Sequence, residues 1–384
     1  MTFGMTAAGL ILAGWQYIQS NRDGDRRRVQ DYLTESGTLY LAGRRQEALD
    51  ILSKAEKLDP QNPEVLKREA VLHMELGHLE LAKEAARRAF TFAPENPKTG
   101  YTYAQILEKG GARQESVQVI ESVTRQHPEF GMGWNLLGTM YLTQHRCSDA
   151  AAALDAAMRA GYDGAEVRVN HGLVLGDCEG DDQGAIVWFQ DAIAHDQNYP
   201  PAHEKLVAAL IRLKRYADAI GPAETFVRLR PADAKAHHML ALALDGAHRF
   251  AEALREYRSA LAYDACLCDA LLNSSAILLQ ESESEAALGD TRRLLECSNC
   301  GDMSVVHINR GEALLQLNRK EEAAHEAELA SRALPGLSAT WQLMGEVAEA
   351  QGDPAMAETY YARGLERDPE NNECRQRLDA LKHQ

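Results

Sequence analysis

The residues of this chain with the widest chemical reach are its seven cysteines, Cys147, Cys178, Cys266, Cys268, Cys297, Cys300 and Cys374. Cys266 and Cys268 form a C-x-C pair, and Cys297 and Cys300 a C-x-x-C pair. Three chemistries fit these residues. They are small reduced core residues, disulfides of an oxidising compartment, or thiolates around a zinc ion, for which the C-x-C arm is an unusual half-site. The thirteen histidines invite a metal or acid–base role. His237 and His238, however, point to different faces of a helix and make a poor chelate. The chain has no glycine-rich phosphate loop, no His-Glu-x-x-His and no Gly-x-Ser-x-Gly. The sequence therefore implies no enzyme, no resident metal or other cofactor, and no small-molecule substrate.

What positions these residues is a repeated hairpin. The segment from Gly131 sets Trp134, Leu137, Gly138 and Tyr141 on one helix, and Ala150, Leu154 and Ala157 on the next. Aligned copies begin at Val29, Pro63, Pro97, Gly131, Ala165, Pro200, Ala234, Cys268, Ser304 and Ser338. The steps between them are 34, 34, 34, 34, 35, 34, 34, 36 and 34 residues. This pattern resembles the tetratricopeptide repeat. The resemblance covers residues 29–369 as ten repeats. It implies an all-α fold, a right-handed α-α superhelix whose long concave face binds proteins or peptide segments.

The residues of each copy suit that packing. Two short helices cannot bury their apolar faces alone, so small residues are needed where helices cross. Ala48, Ala82, Ala150, Ala185, Ala219, Ala253, Ala323 and Ala357 hold the first such slot, with Ser116 and Ala287 in the other two repeats. Leu52, Ile120, Leu154, Phe189, Tyr257 and Tyr361 follow one turn later on the same face. Pro60, Pro94, Pro128, Pro231, Pro335 and Pro369 end the second helices. Asn62-Pro63 and Asn96-Pro97 start first helices with a cap and a proline. Gly77, Gly111 and Gly352 fall in turns that need a left-handed backbone. Residues 370–384 form a polar helix, with Leu378 and Leu381 on one side, expected to cap the last repeat. His203, His237 and His307 occupy the Trp134 position of their repeats, which assigns them to packing rather than catalysis.

The repeat register also sorts the cysteines. Cys147 and Cys178 fall in the turns of adjacent repeats. Cys266 and Cys268 lie where the eighth repeat's first helix starts, and Cys297 and Cys300 where its second helix ends. If the thiols pair, Cys147 is expected to join Cys178, and Cys268 to join Cys297 or Cys300. Free thiols and a metal site remain the alternatives.

The formal net charge is −16, which argues against nucleic acid, since phosphate binding needs a basic stripe. Residues 1–18 read as a membrane anchor, because Phe3–Ile18 carries no charge and Trp15 and Tyr17 suit an interface. A cleaved signal peptide and a helix packed on the first repeat are the rivals. Residues 19–28, with Arg22, Arg26, Arg27 and Arg28, read as a basic linker. This gives a single-pass protein of a bacterial inner membrane. The arginines favour the cytoplasm for its repeats, and paired cysteines would favour the periplasm.

Binding is expected on the first helices. Asn170, Asn273 and Asn309 share the sixth position of their repeats, where an amide can read an extended backbone. This is similar to the asparagine ladder of the O-linked N-acetylglucosamine transferase repeats, although Lys205 interrupts it. Lys98, Tyr101 and Gln105 lie on the groove face of the third repeat, and Lys235 and His238 on that of the seventh. The expected function is a membrane-tethered scaffold that binds partner proteins or an extended peptide. The alternative is an accessory subunit of a larger membrane enzyme or secretion complex.

Overall fold

The computed structural model describes residues 7–301 and 304–382. All regular structure among them is helical, so the all-α solenoid is what forms. The helices fall into two units, residues 1–195 and 196–384. In the first unit α1 (Ala7–Leu41), α2 (Arg45–Leu58), α3 (Pro63–Glu75), α4 (Leu79–Phe92), α5 (Pro97–Lys109), α6 (Arg113–Gln126), α7 (Gly131–Thr143), α8 (Cys147–Arg159), α9 (Ala165–Leu173) and α10 (Asp182–His195) follow in order. The second unit holds α11 (Pro200–Arg212), α12 (Tyr216–Leu229), α13 (Ala234–Gly246), α14 (Phe250–Tyr263), α15 (Cys268–Gln280), α16 (Ser284–Glu296), α17 (Val306–Gln316), α18 (Lys320–Ala333), α19 (Ser338–Gln351), α20 (Pro354–Arg367) and α21 (Asn372–Lys382). Within each unit every helix packs on the next, and successive first helices such as α7 and α9, or α17 and α19, also touch.

The small slots explain how close these helices come. Ala48, Ala150, Ala253, Ala357 and Ser116 are all fully buried, as are Leu52, Leu154, Tyr257 and Tyr361 one turn on. A Cβ added to Gly138 would lie 2.7 Å from the Leu154 side chain. A larger residue there would have to displace the Leu154 side chain. Helix starts follow the caps. The Asn62 side chain accepts from the amides of Glu64 and Val65, and that of Asp353 from the amide of Met356. The turn between paired helices needs one left-handed residue. Gly77 and Gly352 supply it, and His145, Lys214, His248, Ser282 and Asn318 adopt it at the same repeat position without being glycine.

The extra residue of the fifth repeat is absorbed by a π-helical turn, Val174–Glu179, which widens the end of α9 before Gly180 turns left-handed. Cys178 lies in this turn and is bonded to Cys147, the first residue of α8. In the eighth repeat, Cys266 is bonded to Cys297 and Cys268 to Cys300. All six sulfurs are thereby in disulfides and none is a thiolate for zinc. Cys374 is the remaining cysteine, buried with Leu378 where α21 packs against Ala348, Ala357 and Tyr361.

Where the fourth position of a first helix holds a tryptophan or histidine, a second packing rule applies. In the fourth, sixth, seventh and tenth repeats the ring nitrogen donates to a carbonyl six residues upstream. Trp134 reaches Pro128 at 3.0 Å, Trp341 reaches Pro335 at 2.9 Å, His203 reaches Gln197 at 3.0 Å and His237 reaches Pro231 at 3.1 Å. A side chain from the second helix then covers the ring. Glu256 bonds His237 Nδ1 at 2.7 Å, Glu326 bonds His307 Nδ1 at 2.7 Å, and Tyr360 stacks on Trp341 with centroids 6.1 Å apart. In the sixth repeat the covering position holds Pro222, and His203 Nδ1 is buried without a partner.

The single-pass membrane assignment is overturned. Among the described residues no helix is long and apolar enough to cross a membrane. The first helix runs without a break from Ala7 through the basic stretch to Leu41. Its uncharged part, Ala7–Asn21, spans about 22 Å at 1.5 Å per residue, against about 30 Å of hydrocarbon. Residues 19–28 are thus helical and continuous with the first repeat. Residues 1–6 of the expected anchor lie outside the described residues.

Candidate functional site

In the first unit the first helices α5, α7 and α9 carry a row of polar groups. Tyr162 Oη donates to Glu166 Oε2 at 2.5 Å, Asn135 Nδ2 donates to Glu166 Oε1 at 2.9 Å, and Asn170 Nδ2 donates to Asn135 Oδ1 at 2.8 Å. Gln105 donates to the Tyr101 hydroxyl at 3.0 Å, and the Tyr101 ring meets Phe130 edge-on at 5.8 Å. Burial, with a smaller contribution from Glu166, raises the Tyr101 hydroxyl above the usual phenol range. Lys98 is exposed one turn before Tyr101.

Of the expected ladder, Asn170 is only 7% exposed and joins α9 to α7. Asn309 joins α17 to α15, donating to Ser275 Oγ at 2.9 Å and to the Leu272 carbonyl at 3.4 Å. Asn273 hydrogen-bonds the Tyr257 hydroxyl and lines a cleft of about 610 Å³ with Asp245, Tyr216 and Gln280. Each amide is therefore engaged with its own solenoid, and Asn170 and Asn309 are struts between first helices. Asn170 is close to Lys98, Tyr101 and Gln105 in the repeat order of the first unit, whereas Asn273, Asn309, Lys235 and His238 belong to the second. Lys235 Nζ pairs with Glu204 at 2.8 Å. His238 is half-buried with Nε2 unpartnered. Burial lowers its pKa, with a smaller opposing contribution from Asp269.

Asn135, Tyr162 and Glu166 were not legible as members of this polar row. Asn135 sits at the fifth position of its repeat, one residue off the register of Asn170, so the pairing skips a strict periodic reading. A second feature missed by sequence is a cleft of about 650 Å³ lined by Glu312, Gln342, Glu346, Glu349 and Arg377. Burial and the neighbouring Glu346 push the Glu312 carboxyl up to about 7. Arg377 of α21 pairs with Glu349 at 3.2 Å.

Comparison with known proteins agrees with the hairpin architecture. Tetratricopeptide repeat models match residues 39–89 and 338–378, and a bacterial transcriptional activator domain model matches residues 137–265. No curated protein matches. Among solved structures, the Cut9–Hcn1 hetero-tetramer of APC/C is 12% identical, with 93% of this chain and 84% of that chain covered and a TM-score of 0.51. A tetratricopeptide repeat protein from Parabacteroides merdae is 13% identical, with 66% of this chain and 98% of that chain covered and a TM-score of 0.48. These likenesses concern the fold alone. With its helical hairpins, buried alanine slots and repeat matches near both ends, the chain is a tetratricopeptide-repeat protein.

Proposed function

We propose that this chain is a protein–protein interaction scaffold whose first-helix face holds an extended segment of a partner protein. The observation that supports the reading is the polar row of the first unit. Lys98, Tyr101, Gln105, Asn135 and Glu166 lie on three successive first helices, and Asn170 braces Asn135 from behind. Amides and hydroxyls set one repeat apart match the polar groups of an extended backbone, which offers a donor and an acceptor at every residue. In the second unit Lys235, His238 and Asn273 take the equivalent part, and Asn309 braces α17 on α15 as Asn170 braces α9 on α7. Neither a reaction nor a cofactor enters the proposal.

A photo-crosslinking residue placed at Lys98, in the full chain expressed in its own host, should capture a partner that the same residue at Gln118 of α6 does not. The captured partner is then purified, and its affinity measured for wild type and for Lys98→Ala/Glu166→Gln, two exposed positions of the row. Loss of about two hydrogen bonds at 0.5–1.5 kcal/mol each should weaken binding roughly tenfold to a hundredfold. Capture from Gln118 alone, or unchanged affinity in the double variant, would move the site off the first helices.

A further inference from the structure

The fourth repeat lacks the ring cover that the seventh, ninth and tenth repeats possess. Its second helix, α8, has Ala153 where Glu256, Glu326 and Tyr360 stand, Ala156 where Arg363 stands and Ala160 where Tyr263 stands. In the tenth repeat the same ring position is closed twice over. Tyr360 stacks on Trp341, and the Arg363 guanidinium lies 5.1 Å from the centre of that ring. In the seventh, Tyr263 stacks on His237 at 5.7 Å. In the fourth, methyl groups replace all of these. The result is a slot of about 760 Å³ over Trp134, Leu137 and Tyr141, with Ala153, Ala156 and Ala160 as its wall. None of the groove residues named above lines it, so it is independent of the first-helix site.

We propose that this slot receives an arginine side chain from a partner protein, laid over Trp134 as Arg363 is laid over Trp341. Two carboxylates on the rim suit that occupant: Glu129, which also meets His127 at 3.3 Å, and Asp149, with Arg159 the cation among the lining residues. The Glu129 side chain is 73% exposed. Asp149 is shared with Arg146, which itself stacks over Tyr141 at 4.1 Å at the α8 N-terminal end. The face of an indole attracts a guanidinium through its quadrupole, and the flat guanidinium keeps its edge free to meet carboxylates. A slot of this volume also admits the neighbouring backbone of the segment that carries the arginine.

The test uses the full chain with its four tryptophans labelled as 5-fluorotryptophan and the Trp134 resonance assigned with Trp134→Phe. Hexa-arginine and hexa-lysine peptides are the probes, equal in charge and different in head group. The Trp134 resonance should shift saturably with hexa-arginine and bind hexa-lysine about tenfold more weakly. Filling the slot with Ala153→Tyr/Ala156→Arg, which copies the tenth repeat, should abolish the shift. Circular dichroism reports whether that variant folds, and Ala153→Leu serves in its place if it does not. An unmoved Trp134, an equal response to both peptides, or a response that survives filling would each overturn the proposal.

Discussion

The fourth and tenth repeats begin almost alike, with Trp134-Asn-Leu-Leu-Gly in one and Trp341-Gln-Leu-Met-Gly in the other. Both tryptophans anchor their indole N–H on the carbonyl of a proline six residues back. They part at the second helix. In the tenth repeat α20 covers the ring with Tyr360 and Arg363, while in the fourth α8 presents Ala153 and Ala156 at those places and leaves it open. The anchor holds the hairpin together, and the cover decides whether the same ring is core or surface. Holding α8 in place is then left to its alanine slots and to Cys147, bonded to the π turn of the next repeat.

The largest expected effect follows from that staple. The Cys147–Cys178 bond closes a loop of 31 residues, and removing it with Cys147→Ser/Cys178→Ser should cost about 3–4 kcal/mol on the chain-entropy model. Hydrogen exchange should show the loss concentrated in α8 and α9. Uniform loosening of the first unit would mean that α8 does not depend on the bond. Next come the rings themselves. Trp341→Ala removes a covered ring and should cost about 3 kcal/mol, and Trp134→Ala, already open, about half of that. Equal losses in chemical denaturation would erase the distinction between the two repeats.

A smaller effect concerns the seventh position, Leu137 in the fourth repeat and Glu69 in the second. Glu69 is 4% exposed with Oε1 unpartnered, although Glu56 and Arg88 nearby pair with each other at 2.7 Å. Burial, then Glu56, push its carboxyl up from 4.5 to about 7. A raised carboxyl means that the folded state favours the proton. Its contribution is intact below pH 4.5, is lost as pH climbs to about 7, and stays lost above. Glu69→Gln should therefore be more stable than wild type by about 2 kcal/mol at pH 8 and nearly equal to it at pH 4. A stability difference that does not change with pH would contradict the assignment. The smallest effect sharpens the opening comparison. Ala153→Tyr should raise stability by about 1 kcal/mol by restoring a cover over Trp134. A loss in thermal melting would show that α8 and α7 are too close for one.

Much of the fold was legible because a stacked hairpin needs the same small residue at the same place every time. Ala150, Leu154 and Ala157 announced their buried crossings, and Asn62-Pro63 announced a helix start. The polar row of the first helices was legible only in outline. Asn170 carries the residue type expected of a binding position, but whether its amide faces a ligand or Asn135 depends on how far α9 is shifted along α7. No count of residues along one chain contains that shift. The N-terminal segment misled for a related reason. An apolar run is a local property, and the span available to a membrane depends on the charged helix to which it is joined.

The sequence by itself determined the period, the hairpin boundaries, the buried alanine slots and the packing role of the fourth-position rings, because each follows from contacts within one repeat or with a similar neighbour. Tertiary structure alone decided how Cys266 and Cys268 pair, since both meet a loop that holds two acceptors, whereas the repeat register had already set Cys147 beside Cys178. It decided that Asn170 and Asn309 are struts, and that the methyl wall of α8 leaves an open slot over Trp134. These outcomes depend on distances between helices, which the side chains of several repeats set together.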